Sequence, residues 1–108
     1  MQMTIENAND TLRGFTDVLS LEFNWSLTEC RYDFKLVLTN DSSQKRTLLC
    51  NGVSGVKLSR FGGGMSQFML LKLIDVRAHQ WDRVSYKLRE LEHEAIFLRC
   101  QSFVMAES

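Results

Sequence analysis

Apolar and polar positions alternate through most of this chain. Leu19, Leu21, Phe23 and Trp25 are separated by Ser20, Glu22 and Asn24, and this period of two predicts a half-buried strand opening at Thr16. The rhythm returns in Cys30, Tyr32, Phe34, Leu36 and Leu38, set against Arg31, Asp33, Lys35 and Thr39. Residues 26–29 between them read as a short hairpin connection. Asn40-Asp41-Ser42-Ser43-Gln44 predicts a turn, because Asn, Asp and Ser side chains satisfy nearby backbone groups. Residues 45–53 form a third strand, and Asn51-Gly52 with Ser54-Gly55 marks a bend or bulge after it. A short fourth strand at 56–61 is closed by Gly62-Gly63-Gly64. Residues 65–76 are the most apolar part, and 68–74 carry apolar side chains for both faces, which predicts a mid-sheet strand covered on each side. The chain has no proline, so the sheet edges must be protected by charges or by a partner.

The last third supports two patterns. As a helix, Val84, Leu88, Leu91, Ala95 and Leu98 share a stripe, with Asp82 as N-cap. As strands, Val84, Tyr86 and Leu88 alternate with polar residues, and a polar turn at 90–94 leads into Ile96, Leu98, Cys100 and Val104. The helix leaves Tyr86, Ile96 and Phe97 off its stripe, and Ile-Phe-Leu favours the pleated state. The expected fold is therefore all-β: a single compact, mainly antiparallel sheet or sandwich of about seven strands at 14–108. A polar tail or one short turn of helix precedes it at 1–13, and a helical turn is expected near 78–83. The alternative is α+β, with a helix across 84–98.

Composition narrows the class. At 108 residues the chain is one domain, and 44% hydrophobic residues are too many for disorder. Thirteen basic and thirteen acidic residues leave no net charge, which argues against a dedicated nucleic-acid binder and gives no reason to expect a membrane partner. The longest apolar run is the four residues 68–71, far short of a membrane span. The first seven residues carry neither the cationic start nor the apolar stretch of a secretory signal, so a reducing cytoplasm is the expected compartment. Cys30, Cys50 and Cys100 are odd in number and far apart, fitting neither a disulfide framework nor a metal motif. All three sit among apolar neighbours and are expected to be reduced, structural core residues. The charges are unevenly placed: −4 over 1–30, +7 over 31–89 and −3 over 90–108. Cross-strand pairing of acidic outer strands with basic central ones accounts for this. A surface with opposite poles, which would steer a charged protein partner, is the functional account.

Candidate chemistry is sparse. His79 lies in a polar connection and His93 among Glu90, Glu92 and Glu94, donors that suit a metal but at no recognised ligand spacing. Triple glycine between Phe61 and Met65 would let a backbone approach a phosphate. Only Ser66 and an apolar segment follow, where a phosphate loop needs a helix N-terminus and a Lys or Ser/Thr at fixed spacing. No catalytic, cofactor-binding or metal-binding residue is assigned.

Residues 16–23, then 49–58, then 84–88 followed by 96–103 share a rhythm of strands and turns with small bacterial β-rich families. The chain is similar to these families, some of which are immunity proteins to secreted toxins. The likeness covers most of 16–105 and implies strands in the last third and a bacterial origin, but transfers no functional residue. The function expected is a non-catalytic protein-binding module, either an immunity-type inhibitor or a homo-oligomeric accessory protein. Its partner is another protein, such as a toxin, or a second copy, with no cofactor, nucleic acid or membrane. The expected contact residues are Phe61 and Met65, which flank the glycine turn, with Trp81 and Arg83, since Trp and Arg dominate binding hot spots. The alternative is a small enzyme or ligand binder with a site near His79, Trp81 and the glycine loop.

Overall fold

Eight strands in two four-stranded antiparallel sheets account for most of the computed structural model, which describes residues 4–59, 61–64, 66–79 and 84–107. The first sheet contains β1 (Asp17–Ser26), β2 (Arg31–Thr39), β3 (Lys45–Asn51) and β8 (Ser102–Glu107), in the order β1-β2-β3-β8. The second contains β4 (Ser54–Leu58), β5 (Leu71–Asp75), β6 (Tyr86–Glu90) and β7 (Ile96–Cys100), in the order β4-β7-β6-β5. The all-β expectation holds. The last third is β6, β7 and β8, so the α+β alternative with a helix across 84–98 does not. Where one alternating face was expected from Ile96 to Val104, the chain bends at Gln101 and passes from one sheet to the other.

Residues 1–13, expected as a polar tail or one turn, supply all but the last residue of the ten-residue helix α1 (Ile5–Gly14). The Thr4 hydroxyl accepts from the Asn7 N–H at 3.2 Å and caps it. Ile5, Ala8, Leu12 and the following Phe15 recur at helical spacing, and Ala8 and Leu12 are fully buried in the core. The helix also corrects the expectation for the most apolar segment. β5 is an edge strand, not a central one, and α1 closes its edge. Asn9 donates to the Leu73 carbonyl at 2.9 Å and accepts from the Leu73 N–H at 2.7 Å, so one side-chain amide takes the place of a neighbouring strand. Before β5, residues 66–68 pair with the start of β1 and plug Phe68 into the core.

The inner faces of the two sheets form one core, in which Phe34, Leu36, Leu48, Leu88, Leu98 and Phe103 are almost fully enclosed. Cys50 and Cys100 meet there. Their side-chain hydrogen bond, followed by burial, pushes the Cys50 thiol well above its ordinary value and keeps it neutral. Cys30 departs from the expectation. It is exposed, at φ 53° in the β1–β2 turn, because the turn runs through it and burial along β2 begins only with Phe34. In β1 a bulge at Leu19 also shifts the pattern, so that Val18 is buried and Leu19 is exposed. The turn at residues 40–44 forms as expected, with the Asn40 side-chain Oδ1 accepting from the Ser42 and Gln44 N–H groups, each at 3.0 Å.

The outer faces follow from register, since directly paired residues point the same way. On the first sheet, Glu22 pairs with Lys35, and Lys35 with Leu49. On the second, Lys72, Arg89, Phe97 and Lys57 form one row across the four strands. Ile74, Lys87, Arg99 and Ser54 form the next.

Candidate interaction surface

β1 and β2 meet in a hairpin whose inward side chains outrun the core. Leu21, Phe23 and Trp25 share the inner face with their partners Leu36, Phe34 and Tyr32. Leu21 packs on the core, but Phe23 is 37% exposed, Trp25 50% and Tyr32 51%. The strand opposite them, β4, is too short to cover them, and it bulges between Ser54 and Lys57. A cleft of about 340 Å³ remains, lined by Phe23, Tyr32, Val53, Ser54, Gly55 and Val56. Trp25 packs edge-on against Tyr32 with ring centroids 5.0 Å apart, and Phe23 lies 4.8 Å from Phe34. The Val53 N–H donates to the Tyr32 carbonyl at 2.9 Å and ties the cleft floor together. Leu27 at the hairpin tip is almost fully exposed. Clustered exposed aromatics of this kind mark interaction sites on soluble proteins.

Arg99 links this cleft to the outer face of the second sheet. Gly55 has φ +61°, and a Cβ there would come within 2.5 Å of an Arg99 guanidinium nitrogen. Glycine at the bulge therefore lets the guanidinium lie across β4. On the outer face itself, Arg99 lies 5.2 Å and the Lys87 ammonium 6.0 Å from the Phe97 ring centroid.

Glu90 holds the hairpin that carries these residues. It is 1% exposed, and its carboxylate accepts from the N–H groups of His93 at 2.6 Å, Glu92 at 2.9 Å, and Leu70 and Ala95 at 3.3 Å each. Burial acts to raise its pKa, and the four donors outweigh it, leaving the carboxyl below its ordinary value. With its oxygens so engaged, Glu90 is not available to share a metal with His93, which lies 3.7 Å from Glu92 instead. Among the described residues no three His, Cys, Asp or Glu side chains converge on a metal position.

Of the contact residues expected from sequence, Phe61 is exposed beside the glycine turn, where the Gly62 N–H donates to the Ser66 hydroxyl at 2.9 Å. Met65, Trp81 and Arg83 lie outside the described residues. The connection leading to Trp81 begins as a 3-10 turn, Arg77–His79, with His79 at its end. The glycine turn leads to residues beside the start of β1, whereas the aromatic cleft lies beside its end. The cleft was missed because alternation assigns Phe23, Trp25 and Tyr32 to a face without saying where the opposing sheet stops. The available signal was three aromatics and Leu27 crowded onto one hairpin.

The family model described as Immunity protein PIM8 matches residues 3–106 of the chain. No curated protein and no solved structure matches it.

Proposed function

The chain belongs to the Immunity protein PIM8 family, and from that premise we propose that it is a non-catalytic inhibitor that protects its host by binding a toxin, with the aromatic cleft as the anchor of the contact. The observation that carries this reading is the family match across almost the whole chain. The cleft supports it with the features of a binding hot spot: Trp25, Tyr32 and Phe23 on a rigid β-hairpin, partly exposed, with Arg99 beside them. Rigid aromatics lose little conformational entropy on binding, so a small site can hold a partner tightly.

The test is protection. Co-expression of the chain with candidate toxins drawn from the genes flanking its own should relieve growth arrest by one of them, and that purified pair should co-elute. Trp25→Ala should leave the melting temperature nearly unchanged, because half of the side chain is already in solvent. It should weaken the complex by roughly 30-fold or more, the range of a hot-spot truncation. Absence of protection by the wild-type chain would reject the reading.

A further inference from the structure

A sheet edge exposes backbone groups that another strand can take, and proteins close such edges with helices, bulges, charges or proline. This chain has no proline, and its sheet edges are closed unequally. Asn9 of α1 closes β5, while β4 has only five residues, bulges and carries Lys57. β8 has six residues and ends on Glu107. β1 is the longest described strand, at ten residues, and only its start is closed. There Asp17 pairs with Thr39 of β2 on one side and with Gln67 on the other. On that second side the Val18 N–H donates to the Ser66 carbonyl at 2.9 Å and the Phe68 N–H to the Thr16 carbonyl at 2.8 Å. Beyond the bulge at Leu19, no described residue pairs with it.

The backbone groups left there can be assigned. The Tyr32 carbonyl points away from β1, since it accepts from the Val53 N–H after β3. Its partner Trp25 therefore sits in a pair without mutual hydrogen bonds and turns its own N–H and C=O to the free edge. Register is unbroken from Ser20 to Ser26, so Phe23 and Leu21 do the same. Ser26, of the other parity, turns its carbonyl inward to the Cys30 N–H at 2.8 Å. The open edge is thus carried by the three residues whose apolar side chains outrun the core.

We propose that this edge is taken by the same strand of a second copy, paired antiparallel about a two-fold axis at Phe23. The proposal goes beyond the toxin reading and does not rest on it. Residues 20–26, Ser-Leu-Glu-Phe-Asn-Trp-Ser, match themselves in this register. Leu21 meets Trp25 of the second copy and Phe23 meets Phe23, so all three outward residues of each strand exchange hydrogen bonds. Their side chains close over one another on the shared inner face. On the outer face Glu22 meets Asn24 of the second copy, whose amide donates to the carboxylate, and Ser20 meets Ser26. An axis at Glu22 would oppose two carboxylates and run Trp25 onto the bulge at Leu19. An axis at Asn24 would carry Leu21 past the end of the partner strand at Ser26. The axis at Phe23 makes the contact isologous and joins the two first sheets into one. An interface this small belongs with reversible dimers, so monomer and dimer exchange at micromolar concentrations. Where the chain also holds a toxin at the cleft, toxin and second copy compete for Trp25.

Sedimentation of the purified wild type from about 1 µM to about 500 µM tests this without any variant, and should pass from monomer to dimer across that range. Asn24 is exposed on the outer face, so a charge there alters the pairing without touching the inner side chains. Asn24→Glu sets glutamates against Glu22 at two symmetric places and should weaken the dimer roughly tenfold, whereas Asn24→Lys should tighten it several-fold. Asn24 also lies opposite Asp33 in its own chain, so melting curves by circular dichroism check that both variants stay folded. Cross-linking with copper phenanthroline as oxidant reads the register, in a Cys30→Ser background because Cys30 is exposed. Glu22→Cys/Asn24→Cys should link two copies much faster than either single substitution, since only the pair brings thiols face to face. A wild type that stays monomeric at about 500 µM overturns the proposal, as does a dimer that Asn24→Glu leaves unchanged. Cross-linking of Asn24→Cys alone at the rate of the double variant would move the axis to Asn24 and overturn the pairing at Phe23.

Discussion

The outer faces of the two sheets solve the same problem in opposite ways. On the first, charges meet their complements: Glu22 lies opposite Lys35, and Arg31 bonds Asp33 at 3.0 Å. On the second, cation faces cation in two neighbouring pairs. Cross-strand neutralisation therefore explains only part of the uneven charge along the chain. Glu22 meets Lys35 and Glu107 meets Arg46 within the first sheet, whereas Asp10 pairs with Arg13 inside α1. Those of residues 90–94 lie at one turn, with Glu90 turned inward. Among these cations Arg89 takes its acid, Glu94, from the β6–β7 turn rather than from an adjacent strand.

The largest effect should come from the residue that holds the basic face in place. Glu90→Ala strips the carboxylate from four backbone N–H groups and should cost about 3 kcal/mol in urea unfolding, against about 0.5 kcal/mol for Glu22→Ala on the first sheet. Because the folded Glu90 pKa is lowered, its stabilisation is complete above the ordinary glutamate range and is lost as the pH falls through the folded value. Acid titration of the wild type should therefore show a loss of stability that Glu90→Gln does not share. Equal costs at Glu90 and Glu22 would mean that the hairpin is held by something else.

A smaller pair of changes tests the contrast by sign. Lys72→Glu puts opposite charges across β5 and β6 and should stabilise by about 0.5 kcal/mol, whereas Lys35→Glu puts Glu opposite Glu22 and should destabilise by a similar amount. Both effects should shrink in about 1 M salt. The same sign at both positions would show that the two faces do not differ electrostatically.

Much of this architecture was legible in the residues, and the misses have physical causes. Alternation located β1, β2 and β3, and Asn40 located the turn, because both are local properties, whereas β8 was merged with β7. The bulge at Leu19 was not legible, since an extra residue in a ladder shows only when the partner strand is in register. The helix stripe of Ile5, Ala8, Leu12 and Phe15 was present but dilute, and its burial depends on β5 lying 60 residues further along the chain. Glu90 continued the inward parity of Tyr86 and Leu88, yet beside Glu92 and Glu94 it read as one more turn acid. The basic face was foreshadowed by the charge of the central block, but only register could separate cations that are paired from cations that are opposed.

The central claim is that the partner seats over the aromatic cleft beside β4. Hydroxyl-radical footprinting of the chain, free and bound to the toxin it protects against, tests it most directly. Oxidation of Phe23, Trp25 and Tyr32 should fall several-fold in the complex, while Leu49 and Val104 on the outer face of the first sheet stay unchanged. Protection of Leu49 and Val104 with Trp25 and Tyr32 still reactive would contradict it.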